Sequence, residues 1–195
     1  MSALRRVVRS APVQRLLASA PARRVAAQLV AAQRTPVDLV ADHRAWAELE
    51  RRGPAPLDET PPGDPLRVAF VVPAFRRGSG GHTTIANLVR GLEDRGLACE
   101  IYIHDPSGGS GGGARFREFF GPFAAPVHDD LRSFAGADVA VATGWQTVAP
   151  VLLLAGCRAR VQLVQDDEAE FYPASAERLW AERSHVLPAI TAGSW

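Results

Sequence analysis

Three short stretches carry residue types that can do chemistry. In residues 78–82 (GSGGH), Gly80 and Gly81 let the main chain come close to a ligand, and His82 can meet a phosphate or a sugar hydroxyl. If a helix starts there, its free N–H groups favour an anion. In residues 143–146 (TGWQ), Thr143 and Gly144 lead into Trp145, whose flat face suits stacking on a sugar ring. Core packing is the competing role for Trp145. Gln146 offers both a donor and an acceptor. In residues 165–172 (QDDEAEFY), Gln165 precedes three consecutive carboxylates, Asp166, Asp167 and Glu168, and Phe171 and Tyr172 follow. The carboxylates have three competing uses. One can act as a base or hold acceptor hydroxyls; all three can form an acid cluster at a helix start; or they can bind a divalent cation. The cation ranks last, because no second ligand group is apparent. His43, His104, His128 and His185 are scattered without metal spacing, and no Ser-His-Asp or Cys-His arrangement can be argued.

The elements that must position these residues are legible around them. Residues 68–72 (VAFVV) read as a strand buried on both faces, and Ile85, Leu88, Val89 and Leu92 fall at helical spacing after the glycine turn. The turn is neither GxGxxG nor a Walker loop. Further strands are expected at 98–103, 138–142, 160–164 and 187–191, with a short edge strand at 125–127. Helices are expected at 116–120, 129–134 (capped by an Asp), from 146 through 154, and at 175–183. Strand alternating with helix predicts a Rossmann-like doubly wound parallel sheet, with ligands beyond the carboxyl ends of its strands. All three stretches fall at those ends. Residues 107–113 (SGGSGGG) read as a flexible surface loop, with a lid over the site as the less favoured use.

The division of the chain follows composition. Residues 1–52 are expected to be a basic helical extension, 53–66 a proline-rich linker and 67–195 the compact domain. Residues 1–34 hold seven Arg and no acid. They read either as a solvated helical extension or, less favoured, as a basic segment on an anionic membrane surface. There is no signal-peptide core and no apolar run long enough to span a bilayer. The net charge of +1 implies no polyanionic partner such as nucleic acid. Every basic residue is Arg, which reads as coding bias. Cys99 and Cys157 sit in apolar surroundings, as buried free thiols in a reducing cytosol would.

Residues 71–96 (VVPAFRRGSGGHTTIANLVRGLEDRG), then DVAVATGWQTVAP, QLVQDDEAEFYP and AITAGSW, occur in the order found in the N-terminal domain of WsaF-type L-rhamnosyltransferases, which the chain resembles over residues 64–195. These are retaining GT-B glycosyltransferases. The resemblance implies two Rossmann-like domains facing a cleft. The N-terminal one holds a glycan acceptor, and the C-terminal one holds a nucleotide sugar, expected to be dTDP-L-rhamnose, with no metal or other cofactor. It implies that Gly80, Gly81 and His82 face the donor phosphates and the transferred sugar. Thr143, Gly144, Trp145 and Gln146 then line the cleft, and Gln165, Asp166, Glu168, Phe171 and Tyr172 shape the acceptor side. The family pattern QDYE is here QDDE, so a carboxylate, Asp167, replaces an aromatic. The sequence ends at Trp195, without the donor domain. On this reading the chain is the acceptor-side half of a rhamnosyltransferase of cell-surface polysaccharide assembly. It is expected in the cytoplasm or at the inner face of the plasma membrane, and inactive without its C-terminal domain or a separate donor-binding chain. The alternatives are a non-catalytic glycan-binding or interaction module and, more weakly, an unrelated nucleotide-binding α/β protein.

Overall fold

The computed structural model describes residues 36–191. Its elements are α1 (Pro36–Arg52), β1 (Arg67–Pro73), α2 (Gly80–Glu93), β2 (Ala98–His104), α3 (Gly112–Phe120), β3 (Val127–His128), β4 (Ala137–Ala142), α4 (Trp145–Leu153), β5 (Cys157–Val164), a 3-10 turn (Glu168–Phe171), α5 (Ala176–Arg183) and β6 (Ala189–Thr191). The six strands form one sheet in the order β3-β2-β1-β4-β5-β6. Every pairing is parallel. This is the Rossmann-like doubly wound fold, and its strand order reverses between β1 and β4, where a crevice opens at the carboxyl edge.

The strand alternation explains why β1 reads as continuously apolar. Val68, Phe70 and Val72 join a core with Ile85, Val89, Ile101 and Phe116 on the face covered by α2 and α3. Ala69 and Val71 face the other way, with Ala140, Ala142, Val148 and Val151 under α4. Phe70 sits in register between Ile101 and Val141, so the centre of the sheet is sealed on both sides. Burying each such Val, Ile or Phe contributes about 1.5–3 kcal/mol.

The structure departs from the sequence reading in four places. Helix α1 is part of the body rather than an extension, since Trp46 packs with Val71, Tyr102 and Val148. Residues 53–66 are not a loose linker. Ala55 N–H donates to Leu152 O (2.9 Å) and Asp58 N–H to Cys157 O (2.8 Å). Asp138 accepts from Gly63 N–H (3.0 Å) and Arg67 N–H (2.8 Å). The segment is thereby strapped along the amino edge of β1, β4 and β5. Residues 129–134 form no helix; instead Asp129 Oδ1 accepts from Gly113 N–H (2.6 Å), closing the start of α3. Lastly, α3 begins at Gly112, earlier than the phenylalanines suggest, because Gly111 and Gly112 take positive φ (85° and 75°) and Gly113 is pressed on Val127. A Cβ at Gly113 would lie 2.6 Å from Val127 O.

Cys99 and Cys157 are buried free thiols, and burial together with Glu93 pushes Cys99 up to about 11. Among the described residues no helix is long and apolar enough to cross a membrane. The expectations for residues 1–34 and 193–195 lie outside the described residues.

Candidate functional site

The cleft at the carboxyl edge is built by five segments. Turn residues 73–79 after β1, with His82 of α2, form one wall. Residues 104–110 after β2 form a second. Gln146 of α4 and the aromatic pair Phe171 and Tyr172 supply the third, and Asp38 and Asp42 of α1 the fourth. The open cleft has a volume of about 470 Å³, room for one or two pyranose rings.

The first wall is set by His82, which is buried (8% exposed). Its ring stacks on Phe120 at 5.6 Å, meets Phe116 edgewise and lies tilted against Phe75. Pro73 O lies 3.2 Å from Nε2, and a carbonyl can only accept, so Nε2 carries the hydrogen. Nδ1 then accepts from Ser79 Oγ at 2.8 Å. Burial pushes the ring down to about 4, so it is neutral at physiological pH. His82 borders the cleft as a hydrogen-bonded brace for the glycine turn and carries no charge for a phosphate. Gly80 has open space around its Cα, and Gly81 packs on the Gln165 amide, which a Cβ would meet at 3.5 Å. The structure thus joins two stretches far apart in sequence, although neither glycine nor Gln165 lines the cleft itself.

The TGWQ stretch is largely internal. Thr143 is buried, with its Oγ1 donating to Val71 O (2.8 Å). Thr147 Oγ1 accepts from Thr143 N–H (3.0 Å) and Gly144 N–H (3.2 Å), and donates back to Gly144 O (2.7 Å). Trp145 is 1% exposed. It packs edge-on against Tyr172 (5.9 Å) and beside Trp180 (6.0 Å), so it has no face for stacking on a sugar. Its indole N–H donates to Tyr172 Oη (3.2 Å) and thereby orients the tyrosine that borders the cleft. Of the four residues only Gln146 lines the cleft. Its Oε1 is buried without a hydrogen-bond partner.

The three carboxylates serve helix and turn starts. Glu168 Oε2 accepts from Trp145 N–H (2.6 Å) at the start of α4. Asp167 Oδ1 caps the 3-10 turn through Ala169 N–H (3.1 Å), and Asp166 accepts from Asp167 N–H (2.9 Å). Burial, with Asp166 and Asp167 nearby, pushes Glu168 up to about 7 against the effect of the Trp145 N–H. Among the described residues no group of three or more His, Cys, Asp or Glu is placed to hold a metal ion.

Sequence reasoning missed most of two walls. In residues 107–113, Ser110 Oγ accepts from Phe75 N–H (2.8 Å), and Asp105 accepts from Ser110 N–H (2.6 Å) and Ser107 Oγ (2.9 Å). The glycine-rich run is therefore a hydrogen-bonded turn. It is tied to α1 as well, since Ser107 N–H donates to Asp38 Oδ1 (3.2 Å). The signal for α1 was present: Asp38, Asp42 and Trp46 recur every fourth residue, so two acids share the face of a core tryptophan. The apolar Val37 and Val40 instead face outward, at 55% and 47% exposed.

A further polar cluster lies on the β2–β3 edge. Ser133 Oγ is 3.2 Å from His128 Nδ1, and His128 Nε2 is 3.1 Å from Glu100 Oε2, which also accepts from Tyr102 Oη (2.6 Å). Burial would raise Glu100, but bonds from Tyr102, His128 and Arg67 hold it below the ordinary range.

Comparison with protein-family models and with curated protein sequences finds no match for this chain.

Proposed function

We propose that the chain is the acceptor-side half of a retaining GT-B glycosyltransferase, and that its cleft holds a glycan acceptor for L-rhamnose transfer from dTDP-L-rhamnose. One observation carries the reading. Among the described residues the cleft is lined by aromatic Phe75, Phe171 and Tyr172 beside hydrogen-bonding side chains that include Asp38, Asp105 and Gln146. Aromatic side chains offer apolar surface to a sugar, and polar side chains meet its hydroxyls. That mixture suits a polyol. The neutral His82 points the same way, because it adds no cation for phosphate. In this reading the donor is carried by a second domain, whether in the same polypeptide or a separate chain. This domain positions the acceptor, and Gln146, Phe171 and Tyr172 shape its seat.

The test is native mass spectrometry of the 195-residue chain with rhamnose-containing oligosaccharides and, separately, dTDP-L-rhamnose. Oligosaccharide is expected to bind, the nucleotide sugar only weakly, and Phe171→Ala to weaken the oligosaccharide several-fold. Tight nucleotide-sugar binding without oligosaccharide binding overturns the reading. Turnover by this chain alone overturns its assignment as half of an enzyme.

A further inference from the structure

We propose that Ser133, His128 and Glu100 form a nucleophilic site at the β2–β3 edge, and that Ser133 takes an acyl group from a small activated ester. None of the three lines the cleft, so the inference does not rest on the glycan reading.

The sheet brings the residues together. Glu100 and Tyr102 are two apart on β2 and share a face. His128 of β3 is in register with Tyr102, and the two rings stack at 4.4 Å and 11°. Phe134 meets Tyr102 edgewise at 5.4 Å, beside the turn that carries Ser133. The imidazole is thus fixed in its plane with both nitrogens engaged. Nε2 lies 3.1 Å from Glu100 Oε2, and Nδ1 lies 3.2 Å from Ser133 Oγ. Arg67 holds the other oxygen, Oε1, at 3.4 Å. The three residues stand on two strands and a turn, so no local motif marks them.

The direction of these bonds follows from charge. Against the effect of burial, bonds from Tyr102, His128 and Arg67 hold Glu100 below the ordinary carboxylate range. It is ionised and can only accept, so Nε2 carries the hydrogen and Nδ1 keeps a lone pair for the Ser133 hydroxyl. That is the arrangement a general base needs. As Oγ bonds to the ester carbonyl carbon, its proton passes to Nδ1 and the carbonyl electrons move onto oxygen. The Glu100 carboxylate holds the imidazolium that results. Collapse breaks the bond to the leaving alcohol, which takes the proton from Nδ1, and acyl-Ser133 remains. Water repeats the sequence and releases the acid, so the sum is ester plus water to acid plus alcohol.

A second Ser–His pair shows the difference. Ser79 Oγ lies 2.8 Å from His82 Nδ1, but Nε2 of that ring meets the Pro73 carbonyl instead of a carboxylate, and the ring is buried. Ser133 is exposed, so an ester can reach it.

The experiment mixes the 195-residue chain with p-nitrophenyl acetate, follows nitrophenolate by absorbance and maps acid-quenched samples by peptide mass spectrometry. The background is low, since the chain has no Lys and both cysteines are buried. Ser133 is expected to be acetylated at least about ten-fold faster than Ser79, a readout that needs no variant. His128→Gln should slow acetylation of Ser133 about a hundred-fold. Glu100→Gln keeps an acceptor for Nε2–H but loses the charge. It should slow acetylation about ten-fold while the ring-nitrogen NMR shifts of His128 still report Nε2–H. Thermal melts check the folds, and Ser133→Ala, a surface change, should abolish the excess nitrophenolate release even if His128→Gln unfolds. Acetyl spread evenly over the serines, none at Ser133, release unchanged in Ser133→Ala, or a wild-type rate in folded His128→Gln overturns the proposal.

Discussion

Glu168 Oε2 accepts the backbone N–H of Trp145 at 2.6 Å, so an acid on the loop after β5 holds the first turn of the helix that follows β4. Burial raises this carboxyl to about 7, while burial lowers His82, which borders the cleft, to about 4. The signs oppose. For Glu168 the folded state holds its proton more tightly than the unfolded chain, so stability falls as pH rises from about 4.5 to about 7. For His82 the unfolded chain holds the proton more tightly, so stability rises between about 4 and about 6.5. Each change amounts to about 3 kcal/mol, and over the shared window the two cancel. Urea melts of wild type and two variants should show this. Subtracting Glu168→Gln from wild type should leave a downward slope with pH, and subtracting His82→Phe an upward one. Parallel profiles for all three proteins would contradict it.

Trp145 and Tyr172 are expected to act as a pair. Tyr172→Phe removes the acceptor that the indole N–H meets at 3.2 Å and should cost about 1–2 kcal/mol in a urea melt. The buried tryptophan should also change its fluorescence. Trp145→Phe combined with Tyr172→Phe should cost less than the sum of the two, since they share one bond.

Gly144 is an extended residue with little room. A Cβ there would lie 2.9 Å from Gln146 Oε1 and 3.2 Å from Pro73 Cγ. Gly144→Ala is therefore expected to destabilise by about 1–3 kcal/mol and to displace the Gln146 amide. Ligand affinity and thermal stability should fall together, which a melt and a binding titration on the same sample can check.

Asp138 ties the strap to the sheet through Gly63 and Arg67, with Arg158 at 3.7 Å. The two backbone N–H bonds hold its carboxyl below the ordinary range. Its contribution is present above the unfolded value and lost as pH falls through the lower folded one. Asp138→Ala should lower the melting temperature by several degrees at neutral pH, and hydrogen exchange should quicken at residues 63–67. An unchanged exchange pattern would show that the strap is held by its other bonds.

The central sheet was legible in the sequence because β1 and β4 are short, apolar and bounded by glycine turns, and both of their faces are covered. Local pattern failed where a contact far along the chain decides the outcome. Residues 107–113 look unstructured until Phe75 and Asp38 are brought to them. Asp129 looks like the cap of its own segment, yet it closes α3. Trp145 suits a binding face by type, and the arrival of Tyr172 and Trp180 buries it. Asp38 and Asp42 are not marked by local pattern, because the neighbouring apolar residues Val37 and Val40 lie on the outward face of α1.

Helix α1 reaches the carboxyl edge while its strap runs along the amino edge, and it also meets the last helix, with Glu50 3.4 Å from Arg183. Contacts between Asp38 and the β2 turn, and between Trp145 and Tyr172, close long loops and are costly in chain entropy until the sheet exists. During synthesis the central strands can pair well before the cleft can form. Ligand binding is then a late event in the life of each molecule, and a ligand bound in the cleft would mark those chains whose folding has run to completion.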